Sequence, residues 1–338
     1  MAQVLVTGGS GYVAAHCIVK ALYAGHMVRT SLRSLQRADE VRSAVVAGGV
    51  DSDHLARLTF CEADLNHDDG WSEATKGCDY VLHVASPFPA TLPSDPLDII
   101  RPARDGALRV LRASVEQGVR RVVLTSSFAA IGYGHEVAVR PFDERDWTDI
   151  TGPDINPYIQ SKTIAEQAVW DFMQTHGRDT LLCVINPTGI FGPTLSRVLS
   201  ASVDLIRQLM AGEMPVAPLS YFGVVDVRDV ADLHLLAMTA EGAAGQRLLA
   251  TTEPQESLLS VSKILGQGFP SLKDRLPARE VADHSTDIAS SVSTRRPASA
   301  AKARALGWSP RSPAETILDT AKSLLEFGIA TLPHGRGD

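Results

Sequence analysis

The sequence predicts an α/β fold, a doubly wound parallel sheet that carries a smaller, discontinuous α/β lobe. Short runs rich in β-branched residues alternate with longer helical stretches through the first half of the chain, as in successive βαβ units. The short runs are almost continuously apolar, which is typical of strands covered by helices on both faces. After Pro187 several prolines break this alternation, so we expect the smaller lobe to be assembled from separate pieces.

Six parallel strands are predicted from the apolar runs. They cover residues 3–7, 27–32, 57–61, 80–85, 121–125 and 181–186. Helical spacing predicts helices over 13–24, 103–117 and 158–175, and Gly25 and Gly118 end the first two. A further strand and helix are predicted at 224–238, and apolar residues at helical spacing from Ala314 to Leu325 predict a packed final helix.

The composition indicates a folded protein whose partners are small molecules. The 338 residues are enough for about two structural units. The 39 acidic and 32 basic residues give a net charge of -7, which argues against nucleic acid or an anionic membrane as a partner. No apolar run approaches the roughly 18 residues that span a membrane, and no export signal precedes the first strand, so a cytoplasmic location is expected. The four cysteines lack the spacing of a metal site, so we expect reduced thiols and no metal.

The first predicted strand leads into a glycine-rich turn. It reads Thr7-Gly8-Gly9-Ser10-Gly11-Tyr12-Val13-Ala14 and opens an apolar helix. Glycines let the backbone approach a pyrophosphate, and N–H groups at the start of the helix bind its oxygens. Because the turn lies directly between a strand and a helix, it predicts a dinucleotide site of the Rossmann type rather than an ordinary glycine turn. Ala14 replaces the usual third glycine and adds one methyl group where the helix packs on the strand.

The second predicted strand ends without an acidic residue. A carboxylate there would bind the ribose hydroxyls of NAD, whereas this chain has Arg33, with Arg37 four residues further on. A guanidinium suits a 2′-phosphate, so NADP is favoured over NAD. The alternative is that both arginines lie on a solvated helix face and pair with Asp39 or Glu40. Asp64, at the end of the third strand, is placed either to meet the adenine or to serve a turn.

A later segment predicts a helix that carries a tyrosine and a lysine on its packed face. It reads Asn156-Pro157-Tyr158-Ile159-Gln160-Ser161-Lys162, with an N-cap, a proline suited to the first helical position, and the Tyr and Lys four residues apart. The pair suits proton transfer to a carbonyl oxygen as hydride arrives from a nicotinamide, with the lysine lowering the pKa of the phenol. Ser127, or in reserve Ser126, follows the fifth strand and is the candidate to hold the substrate oxygen.

Together these motifs resemble the extended short-chain dehydrogenase/reductase superfamily, in the branch of dihydroflavonol reductases, cinnamoyl-CoA reductases and aldehyde or methylglyoxal reductases. The resemblance extends over nearly the whole chain and includes the segments His83-Val84-Ala85-Ser86-Pro87-Phe88, Asn186-Pro187, Phe191-Gly192-Pro193 and Val225-Asp226-Val227-Arg228-Asp229-Val230-Ala231. It implies a catalytic triad. Tyr158 would protonate the carbonyl oxygen, Lys162 would lower the pKa of Tyr158 and hold a ribose hydroxyl, and Ser127 would polarise the oxygen.

The resemblance also implies a set of NADP contacts. They are Gly8, Gly11 and Tyr12 at the pyrophosphate, Arg33 at the 2′-phosphate, Asp64 and Leu65 at the adenine, Ala85, Ser86 and Lys162 at the ribose, and Pro187 and Thr188 at the nicotinamide end. Thr7, Val13, Arg37 and Tyr158 are further predicted cofactor contacts. Residues 1–186 are expected to form the dinucleotide-binding domain, to which 222–242 return. Residues 187–221 and 243–338 are expected to form the substrate-binding lobe.

The function predicted on this basis is reduction of an aldehyde or ketone to the alcohol with NADPH, by reversible hydride transfer. One alternative on the same fold is an NAD-dependent sugar-nucleotide epimerase or dehydratase, and another is a cofactor sensor without catalytic activity. Aromatic residues after the motifs are the candidate substrate contacts, although such residues also serve as core. They are Phe88, Phe128, Tyr133, Phe191 and Tyr221. The sequence is compatible with a monomer or a homodimer.

Overall fold

The computed structural model of the chain describes residues 1–86, 93–135, 140–152, 154–177, 180–281 and 295–333. Its strands are β1 (Gln3–Val6), β2 (Met27–Leu32), β3 (Leu58–Glu62), β4 (Tyr80–His83), β5 (Arg121–Thr125), β6 (Leu181–Pro187), β7 (Gly189–Phe191), β8 (Ala217–Pro218), β9 (Tyr221–Phe222), β10 (Val224–Asp226), β11 (Arg247–Ala250), β12 (Glu256–Ser257) and β13 (Glu280–Val281). Its helices are α1 (Tyr12–Tyr23), α2 (Ala38–Ala47), α3 (Ser52–Leu55), α4 (Trp71–Thr75), α5 (Leu97–Glu116), α6 (Pro157–His176), α7 (Ala201–Ala211), α8 (Val227–Thr239), α9 (Leu258–Gly268), α10 (Ala301–Ala305) and α11 (Pro313–Glu326).

A seven-stranded parallel sheet forms the centre of the fold. Its strands lie in the order β11-β6-β5-β4-β1-β2-β3, and all neighbouring strands are parallel. The order runs outward from β1 in both directions, so the strand order reverses between β1 and β4. Open α/β sheets bind their ligands at the carboxyl ends of the strands beside such a reversal. The predicted fold class is confirmed.

The seventh strand is where the sequence prediction was incomplete. β11 pairs in parallel with β6, whereas only six strands were predicted and residues 243–338 were assigned to the substrate-binding lobe. All four residues of β11 are buried, including Arg247, whose guanidinium pairs with Glu166 on α6. The run is only four residues long and begins with an arginine, so the sequence does not predict a buried strand there. The carboxylate that pairs with this arginine belongs to Glu166, 81 residues earlier in the sequence.

The longest helices lie close to their predicted positions, with one difference in α5. The sequence pattern predicted a helix from residue 103, directly after Pro102, whereas α5 begins at Leu97 and contains that proline. A proline removes one backbone hydrogen bond of a helix, yet α5 continues through Pro102. The earlier start extends α5 by more than one turn toward the carboxyl end of β4, beside the ligand-binding edge of the sheet.

Apolar layers enclose both faces of the sheet. α1 and α8 cover one face with side chains such as Ile18 and Leu233, and α4, α5 and α6 cover the other with Trp71, Leu111 and Val169. A third apolar cluster joins α7, α9 and α11. α8 belongs to the segment that was expected to return to the dinucleotide-binding domain, and it packs directly on α1.

The described residues show no reactive cysteine, metal site or membrane-spanning helix. None of the four cysteines forms a disulfide, and burial raises the pKa of each thiol, which keeps it protonated and poorly nucleophilic. Among the described residues, no cluster of His, Cys, Asp or Glu side chains could hold a metal ion. No described helix is both long and apolar enough to cross a membrane.

Candidate active site

The glycine turn is shaped by close approaches of the backbone to its neighbours. Gly8 has a φ of 71°, in the left-handed region that favours glycine, and a Cβ there would lie 2.9 Å from the Cβ of Ala85. A Cβ at Gly9 would lie 2.3 Å from Oγ1 of Thr30. The N–H of Gly11 donates to the carbonyl oxygen of Gly8 at 2.8 Å and closes the turn before α1. The first N–H groups of α1 therefore open onto a turn that has no room for side chains, which suits a pyrophosphate.

Thr7, a predicted cofactor contact, links the ends of two strands. Its hydroxyl accepts the backbone N–H groups of Val84 and Ala85, each at 3.0 Å, and lies 2.9 Å from Nδ1 of His83. Burial, followed by the charge of Lys162, lowers the pKa of His83 to about 3, so its imidazole is neutral. Thr7 is fully buried, and this cross-link between β1 and β4 positions the loop that follows β4.

Tyr12 and Val13 begin α1, and their side chains pack against neighbouring segments. The hydroxyl of Tyr12 donates to the carbonyl oxygen of Gly192 at 2.8 Å, and its ring meets the ring of His16 edge-on at 5.7 Å. Burial, reinforced by the carboxylate of Asp226, raises the pKa of Tyr12. Val13 packs against the apolar cluster of α1 and α8. Both residues therefore offer a phosphate their backbone N–H groups rather than their side chains.

The two arginines predicted at the 2′-phosphate have different surroundings. Arg33 follows β2, is exposed, and forms no ion pair or hydrogen bond within the part of the chain that the structure describes. Arg37 is paired with Glu40, whose Oε2 lies 3.0 Å from its Nε and 2.9 Å from its Nη2. The alternative of a solvated, ion-paired helix face therefore holds for Arg37 and not for Arg33, whose guanidinium is available to a ligand.

Asp64 and Leu65 shape the loop after β3. The Oδ1 of Asp64 accepts both the backbone N–H of Asn66 at 3.0 Å and its side-chain amide at 3.2 Å, as expected of a turn residue. Leu65 packs tightly on α5, where a Cβ at Gly106 would lie 2.8 Å from the Cβ of Leu65. Arg109 donates to the carbonyl oxygen of Leu65 at 2.8 Å. These contacts agree with the prediction that Asp64 serves a turn, and Leu65 anchors the loop to α5.

α6 presents Tyr158 and Lys162 from its first two turns. A proline occupies the first position, and Asn156 caps the helix because its Oδ1 accepts the N–H of Ile159 at 2.9 Å. Nζ of Lys162 lies 5.9 Å from the ring centroid of Tyr158 and donates to Oγ of Ser86 at 2.9 Å. The buried ammonium therefore has a polar partner on the loop after β4, which brings three of the predicted site residues together.

The two serines after β5 have different partners. Ser126 is buried and donates its hydroxyl to Oε2 of Glu166 at 2.5 Å. Ser127 caps a short 3₁₀ helix (Phe128–Ala130), where its Oγ accepts a backbone N–H at 3.1 Å, and its side chain also forms a hydrogen bond with Tyr158. The geometry therefore supports Ser127 over Ser126 as the serine that would share a substrate oxygen with Tyr158.

Burial shifts the pKa values of both titratable residues of the triad. Burial raises the pKa of Tyr158, and the hydrogen bond from Ser127 opposes this shift. In this arrangement the ammonium of Lys162 is hydrogen bonded to Ser86, and the lowering of the Tyr158 pKa by Lys162 stays a prediction. Burial lowers the pKa of Lys162 to about 8, against the opposing effect of the Glu166 carboxylate. Near neutral pH the phenol is protonated and the amine charged.

A cavity of about 420 Å³ opens beside the end of β6. Thr188 lines it directly after Pro187, the buried last residue of β6, and the hydroxyl of Thr188 donates to Oγ1 of Thr251 at 3.1 Å. Arg295 also lines the cavity, and its guanidinium lies over the ring of Tyr221, 4.4 Å from the ring centroid. The predicted nicotinamide end of the site therefore borders this cavity, and Tyr221 lies beneath the arginine of its wall.

The remaining aromatic residues predicted to contact substrate have different positions. Phe88 lies outside the described residues. Phe128 and Phe191 are buried in separate apolar clusters and do not line the cavity, so we correct their assignment to core packing, which holds the loops of the site in place. Tyr133 packs edge-on against Phe128 at 5.7 Å and lies beneath the guanidinium of Arg296, and burial raises its pKa to about 12.

A buried polar cluster next to the triad was not predicted. Glu166 is 1% exposed, and its carboxylate accepts from Nδ2 of Asn186 and from Nε of Arg247, each at 2.6 Å. Asn186 also donates to the backbone oxygen of Ser127 at 3.2 Å. A glutamate four residues after Lys162 on a packed helix face was the available signal for this cluster. No local signal indicated Arg247, because the contact forms only when β11 joins the sheet.

The fold and the site together define the class of this protein. A doubly wound parallel sheet, a glycine turn at the reversal of strand order, and a Ser–Tyr–Lys arrangement on β5 and α6 are the parts of a Rossmann-type oxidoreductase. The sequence profile of the NAD dependent epimerase/dehydratase family matches residues 4–249, and the chain belongs to this family.

Comparison with known proteins places the chain in the branch that the motifs indicated. It is 32% identical to cinnamoyl-CoA reductase CAD2 of Medicago truncatula, over 97% of each chain. It is 30% identical to the NADPH-dependent methylglyoxal reductase GRE2 of Saccharomyces cerevisiae, over 96% of this chain and 98% of the relative. The structure of yeast methylglyoxal/isovaleraldehyde reductase Gre2 complexed with NADPH superposes with a TM-score of 0.80 at 28% identity, over 96% and 99% of the two chains. The predicted superfamily and branch are confirmed.

Proposed function

We propose that this protein is an NADPH-dependent reductase that converts an aldehyde or ketone into the alcohol. The observation that carries the proposal is the hydrogen bond between Ser127 and Tyr158, one helical turn from the charged amine of Lys162. Relatives that are named as reductases of carbonyl compounds, and a structural neighbour solved with NADPH, support it. The reaction is written below in the direction of reduction and is reversible.

The residues present fit NADPH along its whole length. The closed glycine turn and the first N–H groups of α1 suit the pyrophosphate, and the exposed guanidinium of Arg33 suits a 2′-phosphate. The amine of Lys162 and the hydroxyl of Ser86 are placed to bind ribose hydroxyls, and Thr188 lies at the nicotinamide end. When bound, NADPH supplies a hydride to the carbonyl carbon.

The side chains of the triad then bind and protonate the carbonyl oxygen of the substrate. Tyr158 donates its phenolic proton to the carbonyl oxygen as the carbon is reduced, so that an alcohol forms. Ser127 donates a hydrogen bond to the same oxygen and draws the carbonyl toward Tyr158. The positive charge of Lys162 stabilises the phenolate that remains on Tyr158, and solvent later returns the proton.

The substrate is proposed to occupy the 420 Å³ cavity that begins at Thr188. The smaller lobe supplies one side of this cavity, from segments 187–221 and 243–338 without β11. Arg295 on the rim offers a positive charge, and Tyr221 beneath it offers an aromatic face. The unpaired, mostly buried cysteines are consistent with the reducing environment of a cytoplasmic enzyme.

The proposal is tested with purified protein, NADPH and a panel of aryl and aliphatic aldehydes and ketones. Loss of NADPH absorbance that depends on the carbonyl compound supports the reductase. NAD that copurifies in stoichiometric amount, with epimerisation of a sugar nucleotide and no net oxidation of cofactor, would establish the alternative instead. NADPH binding without turnover of any carbonyl or alcohol would indicate a sensor.

Replacing Arg33 by Asp is expected to reverse the cofactor preference. The variant loses the cation that faces the 2′-phosphate and gains a carboxylate that can bind ribose hydroxyls. A charged hydrogen bond contributes about 1.5–3 kcal/mol, so the ratio of kcat/KM for NADPH to that for NADH should fall by at least about tenfold. Arg37→Asp is the matched comparison and should change the ratio less, because Glu40 already engages Arg37. An equal change in both variants would contradict the assignment of Arg33.

Reduction is expected to slow as the pH rises above about 8. The pKa of Lys162 is lowered from 10.5 to about 8, so its ammonium is present below that pH and is lost above it. Tyr158 stays protonated through the same range, because burial raises its pKa. The fall of kcat at high pH therefore reports Lys162. A kcat that stays constant up to pH 10, measured with saturating NADPH, would contradict the charged lysine as part of the site.

A further inference from the structure

The carboxylate of Glu166 is held by four hydrogen-bond donors. Its Oε2 accepts from Oγ of Ser126 at 2.5 Å and from Nδ2 of Asn186 at 2.6 Å, and its Oε1 accepts from Nε of Arg247 at 2.6 Å and from Nε1 of Trp170 at 3.4 Å. Four donors match the full accepting capacity of a carboxylate, and one of them is a guanidinium. Both oxygens of the Glu166 carboxylate are therefore fully hydrogen bonded, although the side chain is almost completely buried.

Glu166 and Lys162 line the same small cavity. Its volume is about 20 Å³, room for about one water molecule, and Ser86 and Ser126 also line it. The two charges interact across this space, and the described residues include no direct ion pair between them. The carboxylate opposes the effect of burial on the pKa of Lys162. Without it, the hydroxyl of Ser86 would remain the hydrogen-bond partner of the ammonium within the described residues.

Building on the reductase function proposed above, we propose that Glu166 is a positioning residue of the active site. Its carboxylate keeps Lys162 charged across the cavity, and it holds Ser127 in place through Ser126 and Asn186. Ser126 is the neighbour of Ser127 in the chain, and Asn186 donates to the backbone oxygen of Ser127 at 3.2 Å. One carboxylate thus joins α6, the end of β5 and the end of β6.

The charge that Lys162 experiences comes mainly from Glu166. The titratable groups that face Lys162 in the described chain are Tyr158, His83 and Glu166. The phenol is protonated and the imidazole neutral in the relevant pH range. α5 presents only alanines to the cavity, and Arg247 does not line it. A change in the charge of Glu166 should therefore move the titration of Lys162 directly.

Two variants that break the same ion pair separate this role from a structural one. In Glu166→Gln the charge facing Lys162 is lost, and the high-pH limb of kcat should move down by about one pH unit. In Arg247→Met the carboxylate of Glu166 stays and no longer pairs with the guanidinium of Arg247, which competes with Lys162 for its charge. The high-pH limb of kcat should therefore lie at the same pH as in the wild type or at a higher pH. A merely structural ion pair would shift both variants in the same direction.

Both variants keep most of the hydrogen bonds of the remaining side chain, so we expect both to fold. In Glu166→Gln, Arg247 still donates to backbone oxygens of the chain, namely those of Ala130, Glu144 and Asp146. In Arg247→Met, Glu166 keeps three of its four donors. Arg247→Met decides the question by itself if Glu166→Gln does not fold, because a downward shift of its limb would overturn the proposal.

A titration that needs no turnover provides the second readout. The ¹³C signal of the ε-carbon of Lys162, assigned by its absence in Lys162→Met, is followed against pH in the wild type and both variants. We expect a lower midpoint in Glu166→Gln and no decrease in Arg247→Met. Equal midpoints in Glu166→Gln and the wild type would overturn the role of Glu166. The failure of the wild type to reduce any carbonyl would instead overturn the proposed function, and the titration would still be decisive.

Discussion

Replacing Tyr158 by Phe is expected to lower kcat for carbonyl reduction by about 10²- to 10⁴-fold, the usual contribution of a positioned general acid. The variant loses the proton donor and leaves Ser127 without the hydroxyl to which it is hydrogen bonded. The ring itself is kept, so the packing of α6 and the affinity for NADPH, measured by titration of cofactor fluorescence, should change little. Reduction is followed by NADPH absorbance with a carbonyl identified in the panel.

The control for this variant is Tyr80→Phe. Tyr80 is a half-buried residue of β4 that has no place in the proposed chemistry, and its substitution removes the same hydroxyl from a tyrosine. Its kcat should equal that of the wild type. If Tyr158→Phe kept a comparable kcat, another group must protonate the substrate, and the central role of Tyr158 would be wrong.

Replacing Trp71 by Ala is expected to destabilise the protein by about 3–5 kcal/mol, the range for large aromatic residues removed from a core. Trp71 is 2% exposed, begins α4 and packs in the cluster beneath α5. Its indole N–H donates to the backbone oxygens of Asp64 at 3.0 Å and His67 at 3.2 Å. The variant therefore loses both the core packing and the anchor of the loop after β3. The free energy of unfolding is measured by urea denaturation.

Trp71→Phe separates these two contributions. It keeps an aromatic ring in the core, loses the indole donor and fills less of the core, so we expect a smaller loss than in Trp71→Ala, of about 1–3 kcal/mol, chiefly from the unsatisfied buried acceptors. Both variants should also weaken NADPH binding, because the loop that carries Asp64 and Leu65 lies at the predicted adenine end. A loss below 1 kcal/mol in Trp71→Ala would show that the loop and core readjust without this side chain.

Much of the site could be predicted because its parts are local in the sequence. The glycine turn lies within eight residues between a strand and a helix, and Tyr158 and Lys162 are one helical turn apart. Helical geometry alone places two such residues on one face. The reversal of strand order between β1 and β4 then brings the turn, the serines and α6 to the same edge of the sheet, as the alternation of strands and helices indicated.

Other features depended on contacts between distant segments. The choice between Ser126 and Ser127 required the position of Glu166, which takes the hydroxyl of Ser126. The different surroundings of Arg33 and Arg37 depended on the ion pair of Arg37 with Glu40, one of two pairings that the sequence allowed. Phe128 and Phe191 followed functional motifs, yet their rings turn into the core, because burying an aromatic ring is worth more than leaving it at a cavity wall.

The sequence by itself determined the parallel α/β sheet, the glycine turn, the Tyr158–Lys162 pair and the absence of an acid after β2, because strand alternation, helical spacing and turn chemistry are short-range properties. The tertiary structure alone decided that β11 completes the sheet and that Arg247 forms an ion pair with Glu166 next to the site. It also decided that burial raises the pKa of Tyr158 and lowers the pKa of Lys162. Burial and the partner of a charge depend on which distant segments pack together. A local sequence pattern does not show which segments these are.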